Sequence, residues 1–173
     1  MSEPMEHVIL VNAADEPVGT MEKMEAHEKG VLHRAFSVFL FNAEGHLLLH
    51  QRALSKYHSG GLWTNTCCSH PRPGETVLDA AHRRLMEEMG MAADLSEAFS
   101  FLYRAELDHG MIEHELDHVV LGEAVATPVP NPEEVEAYRF VELEALQDEV
   151  AAHPERFTEW FKICLPEVLK WRG

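Results

Sequence analysis

The stretch ETVLDAAHRRLMEEMG (75–90) decides the fold. Val77, Leu78, Ala81, Leu85 and Met89 recur at helical spacing, and Gly90 stops the run, so the spacing predicts a helix with one apolar face. Its polar side carries Arg83, Arg84, Glu87 and Glu88 on neighbouring turns. Arg84 and Glu88 are four residues apart and can pair along the helix, so this face reads as solvated charge or as an ion-binding surface. Upstream, EHVILVN (6–12) reads as a strand that AADEPVGT turns back, and MEKMEAHEKG (21–30) as a short helix ended by Gly30. AFSVFLFN (35–42), AEG (43–45) and HLLLHQR (46–52) read as a β-hairpin. Downstream, AFSFLYRAEL (98–107) and EHELDHVVLGEAV (113–125) read as strands joined by DHGM (108–111). A further strand and helix follow from Val135. FTEWFKICLPEVLKWR (157–172) reads as an amphipathic helix interrupted or kinked near Pro166. The sum is a mixed α/β fold, a sheet with helices packed against it, in a single domain over residues 1–173.

Composition narrows the function. The chain has 173 residues, 46% of them hydrophobic, which supplies a real core and argues against disorder. Fourteen basic residues against thirty acidic ones give a net charge of −16. A field of that sign repels nucleic acid and anionic membranes, so neither is an expected partner. Arg34, Arg52, Lys56, Arg72, Arg83 and Arg84 all precede Asp94, so an anion pocket has to draw on the first half. No apolar run reaches the ~20 residues that span a bilayer. The start, MSEPMEHVIL, lacks the basic-then-apolar order of a signal peptide. Three cysteines, two of them adjacent, read as reduced thiols in a cytoplasmic protein, a monomer or weak dimer.

The chemistry-bearing residues cluster in a few segments. His27 and His33 flank Gly30, and His70 lies in TNTCCSHP, two residues after Cys68. Alternation in EHELDH puts Glu113, Glu115 and Asp117 on one strand face. Three imidazoles and two carboxylates suit a divalent Mg, Mn or Zn ion if they converge. Taken separately, His27 and His33 read equally as surface histidines, and Glu113 and Glu115 as a solvated strand face. Cys68 is either a buried thiol or a reactive one, and near a cation its thiolate is favoured. Cys67 and Cys164 read as structural. Arg52, Lys56, Arg83 and Arg84 are candidate clamps for a polyanion, with Glu87 and Glu88 a candidate second cation site. Trp63, Trp160, Phe36 and Tyr103 are candidate pocket walls or core aromatics.

These motifs together resemble the type I isopentenyl-diphosphate isomerases of the Nudix superfamily. The resemblance runs over EKMEAHEKGVLHRAFSVFLFN, RALSKY, GLWTNTCCSHPRPGE, AAHRRLMEEMG, FLYRAEL and GMIEHELDHVVLG, with WTNTCCSHP and EHE the most specific parts. It implies a Nudix-like mixed sheet packed between helices. The Nudix box is degenerate here: Ser69 stands where the box opens on glycine, and Arg84 stands where a hydrolase carries the glutamate of its REUxEE core. Glu75, Arg83, Leu85, Glu87, Glu88 and Gly90 keep their places.

The resemblance implies that His27, His33, His70, Glu113 and Glu115 hold Mn²⁺, Zn²⁺ or Mg²⁺, and that Cys68 and Glu115 are catalytic with Tyr103 beside Glu115. It implies that Glu88 holds a Mg²⁺ bridging to the diphosphate, that Lys23, Arg52, Lys56 and Arg83 contact the diphosphate, and that Trp160 covers the hydrocarbon and stabilises a cation. The implied partner is a small allylic or homoallylic diphosphate. The implied reaction interconverts isopentenyl and dimethylallyl diphosphate by protonation at C4 and deprotonation at C2, with Glu115 and Tyr103 on the protonating side. The alternative activity is Nudix-type diphosphate hydrolysis, which Arg84 speaks against.

Overall fold

The computed structural model describes residues 6–172, so the first residues, over which no signal peptide is read, lie outside the described part. In chain order the elements are β1 (His7–Val11), β2 (Pro17–Glu22), α1 (Lys23–Lys29), β3 (His33–Phe41) and β4 (Leu47–Arg52). Next come β5 (Trp63–Thr64), β6 (Cys67–Ser69), α2 (Val77–Met89), β7 (Leu95–Glu106) and β8 (Ile112–Glu123). The chain ends with β9 (Val135–Val141), α3 (Leu143–Ala152) and α4 (Glu159–Arg172). Among the described residues no helix is long and apolar enough to cross a membrane.

The helix read first from the sequence forms as expected. The Thr76 side chain accepts from Asp79 N and caps its start. Gly90 closes it with φ 62, a left-handed conformation that costs glycine nothing. Leu85 and Met89 are fully buried against Phe36, Val38, Leu40 and Leu48 of the sheet. Each such side chain contributes about 1.5–3 kcal/mol relative to exposure. On the opposite sheet face Phe39, Phe41, Leu47 and Leu49 pack against Leu146 of α3 and Phe161 and Val168 of α4. Alternation along β3 therefore serves two cores, and the sheet lies between helices. Helix α4 runs through Pro166 without interruption, so of the two readings at that position the interruption does not hold.

The hairpin expected at residues 35–52 is corrected in its pairing. The turn forms, but β3 and β4 pair only at Phe41↔Leu47 and then diverge. Beyond that point β3 pairs in parallel with β8 and antiparallel with β6, while β4 pairs with β9 and β5. The split opens a seam that Thr66 spans. Its hydroxyl donates to Leu48 O at 2.7 Å and accepts from Leu40 N at 2.9 Å. Asn65 Nδ2 donates to Val38 O and Cys67 O. Two backbone edges inside the core are thereby satisfied by two side chains, as buried polar groups require. β2 also differs from the reading, since the polar run at 17–22 is a strand and not only a turn.

Candidate active site

The site grows from the parallel pairing of β3 and β8, which sets His33 opposite Glu115. Glu113, Glu115 and Asp117 share one face of β8, and all three are buried, so the solvated-face reading does not hold. His33 Nε2 lies 2.9 Å from Glu115 Oε2, and His70 Nε2 lies 2.8 Å from the same oxygen. His27 Nε2 is 3.8 Å from it. Gly30 is the reason that His27 and His33 converge. Its φ of 68 ends α1 and turns the chain directly into β3, bringing the two ring centroids to 5.1 Å. Both imidazoles are fully buried.

The arrangement fits a divalent ion. Donor atoms of His27, His33, His70 and Glu115 all lie within 4.8 Å of one another. His27 Nδ1 bonds Lys23 O at 2.8 Å and His33 Nδ1 bonds Val31 O at 2.8 Å, which leaves Nε2 of each ring on the Glu115 side. Backbone bonds of this kind fix the ring orientation of ligand histidines. His27 Nε2 is buried with no hydrogen-bond partner, a costly state that an ion would relieve. Glu113 stands apart from the four. Its carboxylate groups instead with His27 and His58.

Protonation is unevenly shared. Burial and the adjacent Glu115 charge raise the Glu113 pKa well above the carboxylate range. Burial also acts on Glu115, but His70 and His33 overcome it and hold Glu115 well below that range. Tyr103 Oη lies 2.7 Å from Glu113 and 2.7 Å from Glu115. A phenol has one hydrogen, so two such bonds need one carboxyl to be protonated. The raised group is Glu113, which makes the chain Glu113–H to Tyr103 and Tyr103–H to Glu115. Burial opposes the charged form of His33 and Glu115 favours it more, for a net rise. Burial lowers His70 to about 4. Asp117 is raised by burial and by Glu115, and the Ser37 hydroxyl donates to it at 2.8 Å.

Cys68 reaches this site because β6 pairs with β3 with Ser37 opposite Cys68 and Val38 opposite Cys67. Alternation then sends Cys67 towards α2, where its thiol donates to Glu88 Oε2 at 3.4 Å, and Cys68 to the Ser37 face. Burial pushes the Cys68 thiol up, Arg52 counteracts this, and Glu88, Glu113 and Asp117 reinforce it.

Cys68, Tyr103, Glu115 and Trp160 line a small cavity of about 30 Å³. It adjoins a polar groove of about 740 Å³, and Arg52, Cys68 and His70 line both. Arg52 lies with its guanidinium carbon 5.1 Å from the Trp160 ring centroid. Lys23, Lys56 and Glu88 line the groove as well. Lys56 Nζ is 2.6 Å from Glu134, and Lys23 Nζ is 3.3 Å from Glu6. Arg83 is not brought there. It is spent on Glu75 and Glu87 along the helix, at 2.8 and 3.0 Å. Arg84 lines the groove instead, its Nη2 at 3.1 Å from Glu88 and 3.4 Å from Glu134.

The sequence reading missed His58 and Glu134, and it named Arg84 as a clamp without preferring it to Arg83. His58 was passed over inside the polar loop, and its only signal is a position six residues after Arg52. Arg84 needed the phase of α2, and Glu134 needed the return of the chain across the end of α2. That return is tight, with Val129 N donating to Met89 O and Asn131 N to Glu88 O.

The comparisons agree with this construction. The sequence model of the NUDIX domain matches residues 31–161. The chain is 51% identical over 165 residues to an isopentenyl-diphosphate Delta-isomerase of Pectobacterium atrosepticum, covering 95% of this chain and 92% of that one. It is 50% identical over 168 residues to isopentenyl-diphosphate Delta-isomerase 2 of Aromatoleum aromaticum, covering 97% and 89%. Among solved structures, a Deinococcus radiodurans protein matches with TM-score 0.70 at 23% identity over 85% of this chain and 90% of that one, a likeness of fold. A MutT NUDIX hydrolase of Burkholderia pseudomallei matches with TM-score 0.63 at 21% identity, covering 79% and 98%. By sequence over nearly its full length, and by the fold that carries its buried histidines and carboxylates, this chain belongs to the isopentenyl-diphosphate Delta-isomerase family of the NUDIX superfamily.

Proposed function

We propose that this protein interconverts isopentenyl and dimethylallyl diphosphate. One observation carries the reading: a small cavity with acid–base groups adjoins a groove with cations and Glu88, and Cys68 and Arg52 line both. Such a junction suits a short hydrocarbon joined to a diphosphate. Lys23, Arg52, Lys56 and Arg84 take the diphosphate, with Arg84 in place of Arg83. Glu88 would hold a Mg²⁺, which would supply positive charge to the diphosphate. His27, His33, His70, Glu113 and Glu115 hold Zn²⁺ or Mn²⁺, with Mg²⁺ less suited to three imidazoles. A bound ion supplies Lewis acidity and fixes its carboxylates.

The alkene is a weak base, so the difficult point is the positive charge at C3. Glu115, with the Tyr103 hydroxyl beside it, is the protonating side at C4. Cys68 handles the C2 proton, and Arg52 is the cation beside it that favours the thiolate it needs. One proton enters at C4 and one leaves at C2, so the molecule is isomerised without redox change. Trp160 is 2% exposed and lies over Arg52 and His58, which keeps water from the cation. The test is proton NMR of isopentenyl diphosphate in D₂O with Mg²⁺, with Cys68→Ala alongside. The expected product is dimethylallyl diphosphate carrying solvent deuterium, absent with the variant. An unchanged spectrum from folded, metal-loaded protein overturns the reading, and phosphate release in its place favours hydrolysis.

A further inference from the structure

Two buried polar atoms in the small cavity take no part in the chemistry above. Trp160 is 2% exposed and His58 1% exposed, yet Trp160 Nε1 and His58 Nε2 are both without a hydrogen-bond partner. Both residues line the cavity of about 30 Å³, and their rings meet edge-on at 5.6 Å. His58 Nδ1 is 3.1 Å from the Ser59 hydroxyl, so the far edge of the ring carries Nε2 towards Glu113, another residue of the cavity wall. Glu113 Oε2 stands 3.7 Å from that nitrogen, too far for a hydrogen bond. The loop holds His58 in this pose against local preference. Ser59 has φ 54, a left-handed conformation that few non-glycine residues adopt. Ser59 N donates to Asp108 Oδ1 at 2.8 Å, and Arg52 Nη2 donates to His58 O at 3.1 Å. Tyr57 packs edge-on against the imidazole at 4.3 Å. Backbone strain of this kind concentrates where a ligand is clamped.

What the pair can hold follows from the two rings. An indole N–H only donates, and a neutral imidazole has one donor nitrogen and one acceptor nitrogen. With the Nδ1 hydrogen on Ser59, Nε2 of His58 accepts. A hydroxyl answers both atoms, since its oxygen accepts from Trp160 while its hydrogen goes to His58. A plain hydrocarbon answers neither and leaves two buried polar atoms unpaired, which costs affinity. The cavity exceeds the roughly 10–15 Å³ that one such oxygen needs.

We propose that the cavity contains a hydroxyl subsite formed by His58 Nε2 and Trp160 Nε1, and that the protein binds five-carbon diphosphates hydroxylated at the branched end more tightly than their plain counterparts. The inference rests on the reading above that the adjoining groove takes a diphosphate. It leaves the metal donors as they stand, since His58 is not among them. A saturated ligand of this class has no alkene to protonate, so it occupies the site without turning over and competes with the substrate.

The test is calorimetric titration of the full chain, loaded with Zn²⁺ and Mg²⁺, with 3-methylbutyl diphosphate and with its 3-hydroxy and 4-hydroxy derivatives. At least one hydroxylated probe is expected to bind roughly 10–100-fold tighter than 3-methylbutyl diphosphate. His58→Phe keeps a ring and removes the acceptor, so it is expected to erase most of that preference while 3-methylbutyl diphosphate binds as before. Equal affinity of the unaltered protein for all three probes overturns the proposal, and so does a preference that survives His58→Phe. Should His58→Phe fail to fold, Trp160→Phe removes the indole N–H, keeps an aromatic face and carries the same comparison. Mg²⁺–pyrophosphate separates the two readings. If it binds and no hydroxyl preference is seen, this proposal alone falls; if neither it nor any probe binds, the diphosphate groove falls and this proposal with it.

Discussion

Exchanging Arg84 and Arg83 one at a time tests the diphosphate groove most directly. The two arginines are adjacent on α2, and their surroundings give opposite expectations. Arg83 pairs with Glu75 and Glu87 at the edge of the helix. Partly exposed pairs of that kind contribute about 0.2–1 kcal/mol each, and Arg83 itself does not line the groove, although its partner Glu87 does. Arg83→Ala is therefore expected to cost a little stability and leave KM unchanged. Arg84 points Nη2 between Glu88 and Glu134 in the groove. A charged hydrogen bond there contributes about 1.5–3 kcal/mol. At 1.4 kcal/mol per tenfold, its loss raises KM by roughly 10–150-fold. Because the contact is to the non-reacting end of the substrate, kcat should change much less than KM. Arg84→Ala also leaves the buried Glu88 without its cation, so its thermal midpoint should fall. Arg84→Lys restores a point charge and should recover part of both. The assays are steady-state rates on isopentenyl diphosphate and competition by Mg²⁺–pyrophosphate. A KM rise in Arg83→Ala equal to that in Arg84→Ala, or none in Arg84→Ala, refutes the reasoning.

Three other outcomes are expected. Tyr103→Phe breaks the bond chain between Glu113 and Glu115 outside the groove, so kcat should fall roughly 10–150-fold with KM kept, and an unchanged kcat in steady-state assays would remove Tyr103 from the proton path. Gly90→Ala puts a Cβ 2.4 Å from Val129 O at a φ of +62. The left-handed conformation alone costs about 1–2 kcal/mol, and a calorimetric midpoint lowered by less than ~2 °C would contradict the close approach. The Glu149 carboxylate is held below its usual range by its hydrogen bond from Arg139, at 2.8 Å. Its folded pKa is depressed, so its stabilisation is present above the unfolded value of about 4.3 and is lost as pH falls through the folded value. Glu149→Gln should accordingly lower the melting midpoint at pH 7 and match the unaltered protein in strong acid, and an equal loss at both pH values would argue against the ion pair.

The parts of the fold legible beforehand are those whose cause is local. Leu85 and Gly90 announce α2 through stripe and stop, and the alternation of Glu113, Glu115 and Asp117 shows in EHELDH itself. Gly30 likewise marks where α1 ends and why His27 can meet His33. The misreadings have long-range causes. The turn after Phe41 is right, but which strands take the edges of β3 and β4 is decided by β8 and β9, far along the chain. Arg84 was favoured over Arg83 by the seating of α2 on the sheet, and Glu134 by Val129 and Asn131 bonding the end of α2. His58 had no pattern to betray it, since a single histidine among Ser59, Gly60 and Gly61 looks like any loop residue.

The parallel pairing of β3 with β8 has a consequence for how the chain reaches its active form. His33 and Glu115 are 82 residues apart, and His70 joins Glu115 across 45. Closing loops of that length is slow, because the entropy is spent before the contact forms. During synthesis, the donor set cannot exist until β8 has emerged and inserted beside β3. An ion met earlier finds His27, His33 and His70 without the carboxylates of β8 and without the strand that aligns them. Metal capture is thus a late event that reports completed topology, and regain of ion binding during refolding should lag behind regain of helix.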